Sequence, residues 1–149
     1  MNVLVVDNEI VQLENLRIGL TERGYHVLQA QSGPEALNLI ETEVLEIDLV
    51  ITDYEMPEMN GIELLQNIRW KQGNLPVILM TAYGQRDIAL EAFRNHCNGY
   101  IDKPFSLDQL LHVIHTVKSN ITHNMTLETP KKANRSSQPF LCDKGRGKK

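Results

Sequence analysis

Cysteine is scarce in this chain of 149 residues: only Cys97 and Cys142 occur, far apart and outside any Cys-x-x-Cys spacing. Neither a zinc site nor a disulfide framework is expected, and both thiols read as reduced bystanders. Long apolar runs are missing too. The first strand-like run begins at about the second residue, which leaves no room for a charged leader and an apolar signal core, and no later run approaches a membrane span. The chain is therefore read as cytoplasmic, with no membrane among its partners. The Asn-x-Ser/Thr matches at Asn120, Asn124 and Asn134 then have no secretory route and count as chance. A Gly-rich Walker loop and a G-x-G-x-x-G run are absent as well, so a nucleotide has no evident cradle.

Charge is unevenly spread. From Ser119 onward Lys131, Lys132, Arg135, Lys144, Arg146, Lys148 and Lys149 stand against Glu128 and Asp143, a net +5, which leaves −9 for the rest of a chain whose total is −4. The basic segment also carries Pro130, Pro139, Gly145, Gly147 and few apolar residues, so it lacks the surface to offset its own ordering entropy. The length suits one domain with an appendage. The expected division is an acidic domain over residues 1–120 and a basic, disordered tail over 121–149.

The acidic body repeats one theme, a short apolar run followed by a turn and a segment of helical period. Strands are expected at "VLVV" (3–6), "HVLQA" (26–30), "LVIT" (49–52), "VILM" (77–80) and "YI" (100–101). After the first strand Ile10, Leu13, Leu16 and Leu20 mark one face of a helix that Gly24 should stop. Further helices are expected over 33–42, 61–71 and 86–95. The clearest stripe, Leu107, Leu110, Leu111, Ile114, Val117 and Ile121, marks the last one. Alternating strands and helices imply an α/β fold, a parallel sheet covered on both faces.

In such a sheet ligands gather outside the carboxyl ends of the strands. Asp7, Asn8 and Glu9 follow the first strand, Asp53, Tyr54 and Glu55 the third, Thr81 the fourth, and Asp102 and Lys103 the fifth. Carboxylates held together repel unless a cation sits among them, and oxygen ligands without His or Cys point to a hard ion such as Mg²⁺. A lysine and a threonine opposite would suit phosphoryl oxygens. With no nucleotide cradle, the phosphate is expected to be attached to the protein, for which a carboxylate is a suitable acceptor.

"VVDNE", "LVITDYEMPEMNG", "VILMTAYG" and "GYIDKPF", in this order and spacing, resemble the receiver domain of two-component response regulators, the CheY-like proteins. The resemblance covers about residues 1–120 and implies a doubly wound (βα)5, flavodoxin-like fold with five parallel strands in the order 2-1-3-4-5. It implies that Asp53 is phosphorylated by a sensor histidine kinase or histidine phosphotransfer protein. Asp7, Asp53 and the backbone carbonyl of Glu55 would hold Mg²⁺, with Asn8 in the place of a second acid. Lys103, preceding a cis Pro104, would contact the phosphoryl group. Thr81 would swing its hydroxyl toward that group, Tyr100 would change rotamer in step, and Glu55 and Tyr83 would tune the lifetime of the modified state. The only reactions implied are self-phosphorylation from a donor and slow self-dephosphorylation, so no enzyme in the ordinary sense is expected.

Blander readings stand beside these. Asp53 could be a strand-ending acid that caps a turn, Thr81 a β-favouring residue, and Tyr100 a packing residue. Glu9 is favoured near a helix start by the dipole alone. His112 and His115 lie off the apolar stripe and read as a solvated face rather than metal ligands. The first functional reading is a stand-alone, phosphorylation-controlled switch that meets an unknown downstream protein through its fourth helix, fifth strand and fifth helix. A homodimer formed on phosphorylation and a relay intermediate passing the group to another histidine stay open. A haloacid-dehalogenase-like phosphatase would need D-x-D-x-T where Asp53-Tyr54-Glu55-Met56-Pro57 stands. Nucleic-acid binding through the basic tail is opposed by the acidic body and lacks a recognition helix or zinc finger.

Overall fold

The computed structural model describes residues 1–43 and 46–135. Five strands alternate with five helices: β1 (Asn2–Val6), α1 (Ile10–Glu22), β2 (His26–Ala30), α2 (Gly33–Thr42), β3 (Leu49–Asp53), α3 (Gly61–Lys71), β4 (Val77–Ala82), α4 (Arg86–Arg94), β5 (Gly99–Lys103) and α5 (Leu107–Arg135). The strands form one parallel sheet in the order β2-β1-β3-β4-β5. This is the doubly wound (βα)5 arrangement the motifs imply. The chain divides into two compact units, Met1–Ile114 and His115–Lys149. Among the described residues no helix is long and apolar enough to cross a membrane.

The central strands read as unbroken apolar runs because both of their faces are covered. Val3 to Val6, Leu49 to Ile51 and Val77 to Met80 are all buried. On one face Leu4, Val6, Val50 and Leu79 join Ala36 of α2 and Ile62, Leu65 and Ile68 of α3 in a single cluster. Each fully buried Leu or Ile of this kind contributes roughly 1.5–3 kcal/mol. Leu13, Leu16 and Leu20 of α1 and Leu110 and Ile114 of α5 are buried as well. α1 and α5 approach closely at Gly19, where a Cβ would stand 3.0 Å from the Leu107 side chain.

Local chemistry starts and stops the helices. Ser32 caps α2 by accepting from the Glu35 N–H, Asn60 and Glu63 form a reciprocal capping box on α3, and Ser106 and Gln109 do the same at the start of α5. Gly24, with φ +94°, follows the end of α1. The two uncapped starts are those of α1 and α4.

One expectation is corrected. Ile10, grouped with Leu13, Leu16 and Leu20 on one face of α1, is 65% exposed, and Val11 beside it is 73% exposed. The first turn of α1 stands at the carboxyl edge, where β1 has already ended and no layer covers it. Helix α5 is described from Leu107 to Arg135 and runs through Asn120. Residues 136–149, with Lys144, Arg146, Lys148 and Lys149, lie outside the described residues.

Candidate functional site

The sheet register brings the chemistry-bearing residues to one edge. Val6 pairs with Thr52, so Asp7 and Asp53 emerge side by side from β1 and β3. Asp53 pairs with Met80, which sets Thr81 one residue further along β4. Thr81 pairs with Asp102 and Ala82 with Lys103 on β5. Strand β5 is longer than its sequence suggests, and the extra length carries Lys103 to the end of the ladder.

Asp7 is fully buried. Its Oδ1 accepts the Glu9 backbone N–H at 2.9 Å, whereas Oδ2 is buried without a hydrogen-bond partner. Asp53 is buried at the tip of β3. The chain folds back over this tip because residue 61 is glycine: a Cβ there would meet the Asp53 carbonyl oxygen at 2.5 Å and a Leu79 methyl at 2.6 Å. The Gly61 N–H then donates to the Tyr54 carbonyl at 2.8 Å. The Lys103 ammonium bridges both acids, 3.1 Å from Asp53 Oδ1 and 3.5 Å from Asp7 Oδ2. The Lys103–Pro104 peptide is cis.

Two carboxylates and one ammonium leave the cluster short of positive charge. Burial raises the Asp53 pKa above the ordinary carboxylate range, and the Asp7 charge raises it further; Lys103 offsets these effects only in part. For Lys103 burial acts downward, but the charges of Asp53 and Asp7 outweigh it and the ammonium titrates above its usual value. The lysine is thus firmly charged while Asp53 resists ionisation. A buried carboxylate oxygen with no hydrogen bond and only a 3.5 Å ion pair, beside a second buried acid, is the environment a small hard cation satisfies. Among the described residues no three His, Cys, Asp or Glu side chains gather as a metal cluster. The buried carboxylates gathered at this edge are Asp7 and Asp53, and Asn8 follows Asp7 in the chain.

The remaining residues singled out by sequence are distributed around this cluster. Asn8, Glu9 and Glu55 are exposed. Glu9 is the N-cap residue of α1 and meets Asp7 through its backbone. Thr81 is buried, and its hydroxyl donates to Gln85 Oε1 at 3.1 Å. The Tyr100 hydroxyl donates to Asp102 Oδ1 at 2.7 Å, and burial followed by that bond pushes its pKa up to about 12. Neither switch candidate directs its hydroxyl at Asp53. Tyr83 is 81% exposed and borders a groove of about 580 Å³ lined also by Asp102, Pro104, Asp108 and His112. His112 and His115 are exposed. Sequence reasoning missed Gln85, for which no motif signals, and the partner of Tyr100, for which the two-residue spacing of Tyr100 and Asp102 on one strand face was the available signal.

Comparison with known proteins agrees with this fold. The family model for the response regulator receiver domain matches residues 3–115. The chain is 35% identical over 130 residues to the transcriptional regulatory protein ZraR of Escherichia coli, covering 87% of this chain and 29% of ZraR. It is 37% identical over 107 residues to the response regulator RR06 of Streptococcus pneumoniae, covering 72% of this chain and 48% of that protein. It therefore spans less than half the length of these curated relatives. Among solved structures, a response regulator receiver domain protein from Clostridium thermocellum superposes with a TM-score of 0.74 at 31% identity, covering 85% of this chain and 98% of that one. The response regulator TrrA of Thermotoga maritima, solved in complex with Mg(2+)-BeF, has a TM-score of 0.68 at 34% identity, covering 78% and 97%.

Proposed function

The chain belongs to the response regulator receiver domain family, and on that premise we propose that it is a phosphorylation-dependent switch whose acceptor is Asp53, within a receiver region of residues 1–120. The observation that carries this reading is the ammonium of Lys103 held 3.1 Å from Asp53 Oδ1 and 3.5 Å from the buried Asp7 Oδ2.

The donor is a phosphohistidine of a sensor histidine kinase or a histidine phosphotransfer protein. An Asp53 carboxylate oxygen attacks phosphorus, the O–P bond forms as the N–P bond breaks, and the electron pair leaves with the imidazole nitrogen, which takes up a proton. Such transfers depend on positioning and charge neutralisation more than on covalent chemistry by the protein. Lys103 is placed to follow the phosphoryl oxygens, since it already contacts the acceptor. Asp7, Asp53, the Asn8 amide oxygen and the Glu55 backbone carbonyl are the groups that would hold Mg²⁺. The chemistry supplied by that ion when bound is neutralisation of the phosphoryl charge. The fit is supported by the buried Asp7 Oδ2, which makes no hydrogen bond, and by the Mg(2+)-BeF complex of TrrA.

Once an oxygen of phospho-Asp53 is available, Thr81 exchanges its present bond for one to that oxygen, and Tyr100 follows. The surface that changes is the one of α4, β5 and α5, where Tyr83, Leu90 and Phe93 leave apolar area exposed. The downstream partner or second copy docks there. The chain acts in the cytoplasm, where its phosphodonors work.

The test is incubation with acetyl phosphate and Mg²⁺ followed by mass measurement. One phosphate on the wild type and none on Asp53→Asn is the expected result. Equal labelling of both proteins would remove Asp53 as the acceptor. Turnover of a generic phosphate ester would instead favour a phosphatase.

A further inference from the structure

We propose that Gln85 and Asp102 are positioning residues that hold the Thr81 and Tyr100 hydroxyls away from Asp53 until phosphorylation releases them; this rests on Asp53 being the acceptor.

Gln85 occupies the N-cap position of α4, yet its side chain makes no cap hydrogen bond. Glutamine is not among the residues that cap well, and α2, α3 and α5 all begin with side chains that do. The Gln85 amide oxygen is taken instead by the Thr81 hydroxyl at 3.1 Å. Thr81 is 1% exposed, so its hydroxyl needs a partner within the protein, and among the described residues that partner is Gln85. A phosphoryl oxygen on Asp53 must therefore compete with the Gln85 amide for the same proton. Gln85 itself is only half-buried, so water can replace Thr81 when the exchange occurs.

The second bond lies on the neighbouring strand. Tyr100 and Asp102 are two residues apart on β5 and share a face, and the Tyr100 ring packs against the core while its hydroxyl donates to the Asp102 carboxylate at 2.7 Å. A hydrogen bond to an ionised acceptor is stronger than a neutral one and holds the ring in its present rotamer. Thr81 is the register partner of Asp102. One end of each bond thus stands on the same rung of the sheet: Thr81, which donates to Gln85 at the start of α4, and Asp102, which accepts from Tyr100 on β5. Movement of either hydroxyl changes the surroundings of the other. Gly84, with φ +89° and open space around it, precedes Gln85 and leaves the start of α4 free to follow.

The experiment uses the full chain. Amide spectra are recorded for the wild type, Gln85→Ala, Gln85→Glu, Asp102→Ala and Asp102→Asn, before and after acetyl phosphate with Mg²⁺, and phosphate uptake is followed by mass. Each alanine variant should move unphosphorylated amide peaks of the region 97–103 along the line toward their phosphorylated wild-type positions. It should also take up phosphate about two- to tenfold faster, the worth of one hydrogen bond in a two-state equilibrium. Gln85→Glu exchanges a neutral acceptor for a charged one and should hold Thr81 at least as firmly as the wild type, whereas Asp102→Asn keeps only a neutral acceptor and should fall between the wild type and Asp102→Ala. A purely structural role in α4 would scatter shifts around the helix without directing them along that line. Wild-type phosphorylation with alanine variants whose free spectra and uptake rates are unchanged would overturn this proposal alone. A wild type that takes no phosphate on Asp53 would overturn the acceptor reading and this proposal with it.

Discussion

Asn8→Asp restores the acid that a receiver site ordinarily carries next to Asp7, and its effect can be worked out from the geometry. The cluster now holds two buried carboxylates and the Lys103 ammonium. A third carboxylate near a divalent ion at about 4 Å is worth about 8 kcal/mol at an effective dielectric of 20 and about 2 kcal/mol in water. Residue 8 is exposed, which places it toward the water-like end, and desolvation of the new carboxylate subtracts further. A net gain of about 1.4 to 3 kcal/mol follows, a ten- to hundredfold tighter Mg²⁺. The same charge repels Asp7 and Asp53 when no ion is bound, so the metal-free variant should be less stable than the wild type. Isothermal titration with Mg²⁺ checks the first effect, and urea unfolding in a chelator checks the second. An unchanged Mg²⁺ affinity would refute the reasoning and make Glu9 or ordered water the third partner of the ion.

Asp53→Asn should stabilise the metal-free protein at neutral pH. The folded-state pKa of Asp53 is raised by burial and by Asp7, so the wild type binds one more proton than its unfolded chain between the ordinary carboxylate pKa and the raised one. Wild-type stability falls as pH rises through that window, and the advantage of the variant should vanish below it; a gap that persists at low pH would refute this. Thr81→Ala should still accept phosphate but lose the amide shift changes over residues 86–103, at a stability cost of about 1 kcal/mol for the buried hydroxyl bond. Normal spectral responses in that variant would remove Thr81 from the coupling. Tyr83→Ala should shorten the lifetime of phospho-Asp53, measured by phosphate loss, if the exposed ring obstructs water. Hydrolysis no faster than in the wild type would end that idea.

Strand and helix positions were legible because their causes are local. The apolar runs of β1, β3 and β4 follow from a sheet covered on both faces, and the starts of α2 and α3 follow from Ser32 and from the Asn60–Glu63 box, each readable within four residues. The acids, threonine and lysine at the strand ends were legible for the same reason, since a parallel sheet sends every strand's carboxyl end to one edge. The exposure of Ile10 was not, because helical period says which residues share a face and not whether a layer exists to cover them. The hydrogen bonds of Thr81 and Tyr100 belong to this second class. A hydroxyl on a strand can turn to any acceptor within reach, and only the sheet register and the path of the chain into α4 decided that Gln85 and Asp102 stand there before Asp53 does.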